Sequence, residues 1–407
     1  MHRKRTARIR DHTRLRLSGS PGYAPREGKE MKAAILGYGT VGRGTAEALK
    51  KSGIEVARVL NRSPRPELGE LYTDDMDDIL GDKDISVVAE CIGGYEPAHG
   101  FLRASLEAGK SIVSSNKQMI AKYLKELTAL AREKDLSIAF SAAVGGGIPW
   151  LANLIRTSEA YDISGLGGVM NGTTNFILDA MQSEGRDFAE VLAEAQRLGY
   201  AEADPSADID GIDVRAKTAI SADLAFDVFI DPDSVPALGI RFITAADTAN
   251  FRELGLVCRL IGRADRTAAG AAAYVEPMLF GPGSAEQSLP GATNLISLEC
   301  EGAQRLSFRG PGAGKGPTGV NVALDIIDIM RGRSAFDRIS CREEIVNDAG
   351  GVLHRYYVRG MSALPIEAER RVGGAVITAP VSVSAMHAAV RAAVEAGEKP
   401  FAASLAQ

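Results

Sequence analysis

Cysteine is scarce in this chain of 407 residues, which holds only Cys91, Cys258, Cys300 and Cys341. They are too scattered for a CxxC pair, which argues against a zinc site and a disulfide framework and fits a reduced compartment, so a cytoplasmic location is expected. The five histidines, His2, His12, His99, His354 and His387, form no ligand cluster. No uncharged apolar run reaches the ~18 residues that a membrane span needs, so no membrane association is expected. Positive charge is not in excess either. With 47 Lys and Arg against 52 Asp and Glu, the net charge of -5 implies no general affinity for nucleic acid. What remains, 45% apolar and 24% charged residues, describes a globular chain of two or three domains.

Residues 1–30 carry nine Lys or Arg against three acids and no apolar periodicity, so a disordered basic leader is expected there. It reads as a transit peptide, as a basic arm, or as a dispensable extension ahead of Met31. At Lys32 the pattern changes to strand (KAAIL), glycine turn and helix. The turn, Gly37-Tyr38-Gly39-Thr40-Val41-Gly42, is G-x-G-x-x-G between a strand and a helix, the context in which glycines let the backbone approach a pyrophosphate. After a second strand, Glu55 to Leu60, no carboxylate stands where one would hold the ribose hydroxyls of NAD. Arg62 and Arg65 stand there instead, suited to a 2′-phosphate and hence to NADP, although arginines on a loop also serve as solvated charge.

Further apolar strands at Ile85 to Cys91, Ser111 to Val113 and Ser137 to Phe140 alternate with helical patterns at Pro97 to Ala108 and Ile120 to Glu133. The alternation predicts an α/β, Rossmann-type, doubly wound domain over 31–150. Ligands bind beyond the carboxyl ends of such strands, where Cys91-Ile92-Gly93-Gly94, Ser114-Ser115-Asn116-Lys117 and Ala142 to Gly147 fall. Lys117 is therefore a cation beside a cofactor pocket.

The stretch Leu198 to Lys217 packs Glu202, Asp204, Asp208, Asp210 and Asp213 against only Arg215 and Lys217. A helix starting near Asp210 or Ile212 puts Asp213 and Lys217 one turn apart on one face. Taken alone, the stretch also reads as a solvated acidic loop capping an ordinary helix.

Seven motifs in one order give the chain its resemblance: AILGYGTVG, ECIGGYEPA, SSNKQMIA, AAVGGGIP, MNGTTNFIL, LGYAEADP with Asp213 and Lys217 downstream, and GPGAGKGPT. From about Met31 to about Arg333 the sequence resembles homoserine dehydrogenase, which interconverts aspartate 4-semialdehyde and homoserine with NAD(P)H. The resemblance implies Lys217 as acid/base, Asp213 as its assisting carboxylate, and Lys117 as a second lysine between cofactor and substrate. It implies Glu202 as partner of the substrate ammonium, with Asp208 in the same site, and Thr173 with Gly172 as a substrate-contacting hydroxyl and turn. Cofactor contacts would come from Gly37, Gly39, Thr40, Val41, Gly42, Arg62, Gly93 and Lys117, with Gly312 on the segment that returns to the dinucleotide domain. A monovalent cation such as sodium would be held by backbone carbonyls of Ser141, Val144, Gly146 and Ile148. Ser141 departs from the pattern, because the family usually has Glu there; the lost negative charge puts the cation in doubt.

Residues 151–316 are expected to form an α+β catalytic and dimerisation domain, a sheet covered by helices. Helical stretches fall around Thr244 to Ile261 and strands at Ala273 to Leu279, Leu295 to Glu299 and Arg305 to Phe308. A helix over 317–333 is expected to pack back on the first domain. For 334–407 the expectation is a short tail, not a full ACT regulatory domain, and no threonine feedback through one. The resulting picture is an NADP-preferring homoserine dehydrogenase of threonine, methionine and isoleucine biosynthesis, a homodimer or dimer of dimers acting on a small amino-acid substrate. A related dehydrogenase on another small hydroxy acid or aldehyde, or a catalytically silent dinucleotide sensor, are the alternatives.

Overall fold

A computed structural model describes residues 31–302, 304–341 and 343–406. The basic leader, 1–30, lies outside the described residues. Strands β1 (Lys32–Leu36), β2 (Val56–Leu60), β3 (Tyr72–Thr73), β4 (Ile85–Glu90), β5 (Ser111–Ser114) and β6 (Ile138–Ala139) form a parallel sheet in the order β3-β2-β1-β4-β5-β6. This is the doubly wound order, in which the chain reverses direction of travel between β1 and β4. The unbroken apolar runs suit strands covered on both faces, and Ala33, Ala34, Ile35 and Leu36 are fully buried. The cover comes from α1 (Thr40–Lys51), α2 (Asp77–Leu80), α3 (Ala98–Glu107) and α4 (Lys117–Glu133). Helix α4 starts three residues before the expected Ile120 because the Asn116 side chain accepts the Met119 N–H at 3.3 Å and caps it. Strand β3, with two residues, is too short to show any alternation.

The second domain opens with α5 (Trp150–Ser158), β7 (Ile163–Val169), α6 (Gly172–Glu184), α7 (Phe188–Arg197), α8 (Ser206–Ile209), α9 (Ile212–Phe226) and β8 (Val228–Phe229). It continues through α10 (Ala245–Glu253), β9 (Val257–Thr267), β10 (Gly270–Phe280), β11 (Thr293–Cys300), β12 (Gln304–Pro311) and α11 (Lys315–Met330). The helix expected over Thr244 to Ile261 stops at Glu253. Gly255 adopts a left-handed φ of +70° just past the helix, and the segment that follows, VCRLIGRADRT, becomes β9. Strand β7 was hidden by its own glycines. At Gly168 a Cβ would lie 2.3 Å from the Leu295 carbonyl oxygen of β11, so the sheet needs glycine where strand propensity is low. Gly262 of β9 has the same role under α9, since a Cβ there would meet Thr218 Oγ1 at 2.0 Å. Helix α9, which carries Asp213 and Lys217, is thereby seated flat on the sheet. Helix α11 begins two residues before the expected 317 and crosses α1 glycine to glycine: a Cβ on Gly319 would come 2.5 Å from the Gly44 backbone.

The tail differs from expectation. Residues 353–405 hold β14 (Leu353–His354), β15 (Tyr356–Arg359), β16 (Ala368–Val372), β17 (Ala375–Thr378), β18 (Val381–Ser382), α12 (Val383–Glu395) and β19 (Phe401–Leu405), after a short β13 (Glu343–Glu344). They extend the second sheet to nine strands, β12-β11-β7-β9-β10-β19-β15-β17-β16, antiparallel except where β19 joins β10. The main elements follow the βαββαβ sequence with its first helix replaced by the loop 360–367. Joining the body explains how so few residues suffice. Tyr356, Val358, Met386, Val390 and Ala402 share a core with Leu238, and the wholly buried Glu276 of β10 accepts from Tyr356 Oη at 2.8 Å and faces His387 Nε2 at 2.9 Å. A short tail lying on the body is therefore the wrong description. Among the described residues no helix is long and apolar enough to cross a membrane.

Candidate active site

The glycine turn between β1 and α1 is shaped by backbone contact. Gly37 has a φ of +91°, and a Cβ there would lie 2.9 Å from the Cys91 carbonyl; one on Gly42 would lie 2.0 Å from the Gly37 carbonyl. Gly39 precedes Thr40 at the start of α1, no side chain caps that helix, and no acid occupies its first turn. Its N-terminal N–H groups and dipole therefore suit an anion, and open space around Gly39 leaves room for one. Val41, partly buried, packs against the core. Arg62 and Arg65 are exposed just past β2, and Asn61 Oδ1 accepts the Tyr38 N–H at 3.2 Å, tying that loop to the turn.

A second turn, Ile92-Gly93-Gly94 after β4, is held by Glu90. This fully buried carboxylate accepts the N–H groups of Ile92 (2.7 Å) and Gly93 (2.9 Å) and the Ser114 hydroxyl (2.6 Å). Asn116 Nδ2 donates to the Gly94 carbonyl at 2.5 Å. The carboxyl ends of β4 and β5 are thus tied together and deliver Lys117 at the first position of α4. Glu90 stands in the ECIGG motif but was not singled out. Its signal was an acid ending a buried apolar strand.

Lys117, Lys217, Asp213, Asp208 and Asn171 converge where the N-termini of α4, α6 and α9 meet. Lys217 Nζ donates to Asp213 Oδ2 at 2.8 Å and to the Met170 carbonyl at 2.7 Å; Lys117 Nζ lies 3.0 Å from Asp213 Oδ1. Asn171, the cap of α6, donates through Nδ2 to both Asp213 (2.9 Å) and Asp208 (2.6 Å). Lys217 and Asp213 are buried, whereas Lys117 keeps 35% of its side chain exposed at the rim. Burial would push the Asp213 carboxyl up, but Lys217 and Lys117 outweigh it and hold the group well below the usual carboxylate range. Asp213 in turn raises Lys117, against burial and with help from Asp208 and Glu202. Asp208 moves up, chiefly through burial, with the Asn171 hydrogen bond opposing. A cation at the head of α4 is disfavoured by the helix dipole, and Asp213 offsets that.

Glu202 is exposed, and it reaches Lys117 through its charge. Thr173 is buried, and its hydroxyl donates to the Tyr200 carbonyl at 2.7 Å, anchoring the loop that leads to Glu202. Gly172 opens α6 against Ala292, whose carbonyl a Cβ would approach to 3.0 Å. Asn171 was read only as part of a turn. Asn before Gly-Thr-Thr is a helix-cap signature, which was the available clue.

The loop 141–148 is held from α11. Asp325 accepts both the N–H and the hydroxyl of Ser141, each at 2.7 Å. Burial raises the Asp325 carboxyl to about 7 despite those two bonds. Asn321, one turn earlier, donates through Nδ2 to the Gly146 carbonyl (2.5 Å) and the Ile148 carbonyl (3.4 Å). Two of the four carbonyls expected to hold a cation thus already face an amide N–H donor, and the site as built does not fit the ion. Gly312 packs here too: a Cβ on Gly146 would meet its carbonyl at 2.4 Å, and one on Gly312 would meet Asn294 Nδ2 at 1.9 Å. Asn321 and Asp325 were missed because both sit on the otherwise apolar face of α11.

The chain matches the family described as homoserine dehydrogenase over residues 149–327, and the homoserine dehydrogenase NAD binding domain over residues 37–141. It is 38% identical over 316 residues to the homoserine dehydrogenase of Pseudomonas aeruginosa, covering 74% of this chain and 73% of that one. To the homoserine dehydrogenase of Corynebacterium glutamicum it is 35% identical over 379 residues, 88% of this chain and 83% of the relative. A solved homoserine dehydrogenase from Thiobacillus denitrificans superposes with a TM-score of 0.81 at 30% identity, over 93% of this chain and 98% of that one. That likeness reaches well past Arg333, where the sequence resemblance faded. A hyperthermophilic archaeal homoserine dehydrogenase in complex with NADPH gives 0.64 at 26% identity, over 74% of this chain and 98% of that one.

Proposed function

Given that the chain belongs to the homoserine dehydrogenase family and is an NAD(P)-dependent oxidoreductase of that kind, we propose that it reduces L-aspartate 4-semialdehyde to L-homoserine, reversibly, with a preference for NADP and with Lys217 as acid/base. The observation that carries the proposal is the donor arrangement of Lys217. An ammonium has three N–H donors. Two are used on Asp213 and Met170, which leaves one, in a buried site, for the substrate oxygen.

When bound, the dinucleotide supplies or accepts the hydride. The chain's own residues handle charge and proton. As the aldehyde carbon is reduced, negative charge grows on its oxygen, and Lys217 donates the proton that turns the alkoxide into the hydroxyl; in the oxidative direction the same nitrogen takes that proton back. Asp213 keeps Lys217 aimed and draws Lys117 in from the dinucleotide domain, so that the two domains share one charge cluster. Lys117 adds a second positive neighbour at the rim. Glu202 and Asp208 give the substrate ammonium its anionic side, with Asn171 holding Asp208 in place. The pyrophosphate would lie on the Gly37 to Gly42 turn at the head of α1, beside Gly93, with Gly312 closing the far side. Arg62 supports the NADP preference, since no carboxylate stands in its place to favour a free ribose hydroxyl.

We further read the chain as a cytoplasmic homodimer, or dimer of dimers, of amino-acid biosynthesis, paired through the second sheet; sedimentation of the purified protein checks the assembly. The activity test is nicotinamide absorbance with L-homoserine and either NADP or NAD. Turnover with both and a higher kcat/KM for NADP is expected. No turnover with homoserine, together with turnover of another small hydroxy acid, overturns the substrate.

A further inference from the structure

The loop 141–148 brings the backbone carbonyls of Gly146 and Ile148 toward one point, and such carbonyls repel one another unless something positive stands between them. An ion can do this, and so can an N–H donor. In this chain the donor is built in. Asn321 is buried, and its Nδ2 lies 2.5 Å from the Gly146 carbonyl and 3.4 Å from the Ile148 carbonyl. A carboxamide nitrogen carries two N–H groups, one for each carbonyl, and brings no net charge. One turn further along the same helix face, Asp325 takes both donors of Ser141, so α11 grips the loop at both ends. The neighbourhood has no slack: Gly146 has a left-handed φ of +57° and lies against Gly312, and a Cβ on Gly147 would meet Pro317 at 2.4 Å.

We propose that the Asn321 amide stands in the position of the monovalent cation and that this enzyme needs neither sodium nor potassium to hold the loop. To admit an ion, the amide would have to turn over and present Oδ1, giving up both carbonyl contacts. Ser141 agrees with this arrangement. Without an ion there is no positive charge for an acid at that position to balance, and a hydroxyl instead serves the buried Asp325.

The full-length protein is compared in tetramethylammonium, sodium and potassium chloride at equal ionic strength, by thermal unfolding and by homoserine oxidation. The unfolding readout uses no substrate, so its failure is distinguishable from failure of the proposed activity. Wild type should unfold at the same temperature in all three salts. Asn321→Ala, with the Gly146 carbonyl bared and the Ile148 carbonyl left to the Trp150 N–H alone, should unfold earlier in tetramethylammonium and regain about 3 °C or more in sodium or potassium. If that variant does not fold, rubidium-soaked wild-type crystals give the answer through anomalous scattering, with no rubidium peak expected between Gly146 and Ile148. A sodium- or potassium-specific rise in the unfolding temperature of wild type, a rubidium peak there with the amide turned over, or a folded Asn321→Ala indifferent to the salt would each overturn the proposal.

Discussion

Asp213→Asn removes one charge and almost no volume, at the point where two lysines from different domains meet. The carboxylate is 7% exposed and takes hydrogen bonds from Lys217 and Asn171, with Lys117 Nζ at 3.0 Å. Removing one partner of a buried ion pair costs about 3–5 kcal/mol. Because Lys117 is partly solvated and its share is screened, the lower end applies, about 3 kcal/mol. Felt fully in the transition state, that loss lowers kcat/KM by about two orders of magnitude. The pH profile should move as well. Asp213 is the chief cause of the raised Lys117, so without it Lys117 should lose its proton at lower pH. The limb of the pH–rate profile that follows Lys117 should therefore move to lower pH. Steady-state rates in both directions across pH test this. A variant within about threefold of wild type with unmoved limbs refutes the view that Asp213 holds the two lysines.

Glu90→Ala leaves the buried Ser114 hydroxyl and the two turn N–H groups without their acceptor and should cost about 2–3 kcal/mol in urea unfolding, with a raised KM for the dinucleotide; Glu90→Gln, which keeps the shape, should recover most of both. Asp325 gives a pH dependence of known sign. Its folded pKa of about 7 exceeds the ordinary 3.8, so the folded state binds more protons, and this group's stability contribution falls as pH rises from about 4 to about 7, by about 4 kcal/mol in all. Asp325→Asn should flatten that part of the stability profile, and an unchanged slope would contradict the assignment. Deleting residues 353–406 removes β19 and bares the edge of the long, largely apolar strand β10, so size-exclusion chromatography should show aggregate; a monodisperse, active product would mean the tail is separable.

Much of the dinucleotide domain could be read in advance, because long apolar runs, a glycine turn and helix periodicity are local signals. Asp213 and Lys217 were legible for the same reason: their contact is one helical turn. The Lys117–Asp213 and Asn171–Asp208 contacts are not local, and only the packing of α4 against α9 and of α6 against α8 creates them. Strand β7 escaped notice because Gly165, Gly167 and Gly168 serve the close approach of neighbouring strands rather than strand propensity. The tail was misjudged because its core is small and its strands are short; they become interpretable once β19 lies along β10 and Leu238 of the body joins that core. Asn321 and Asp325 carry no local signal, and their role shows only with the loop they hold beside them.

The most direct test of the whole account is homoserine turnover by Lys217→Ala, with dinucleotide binding followed in parallel by fluorescence. The account predicts kcat lower by about 10²–10⁴-fold with the dinucleotide Kd unchanged, because Lys217 handles the substrate's proton and leaves the glycine turn untouched. A variant that turns homoserine over at a rate near wild type would contradict it.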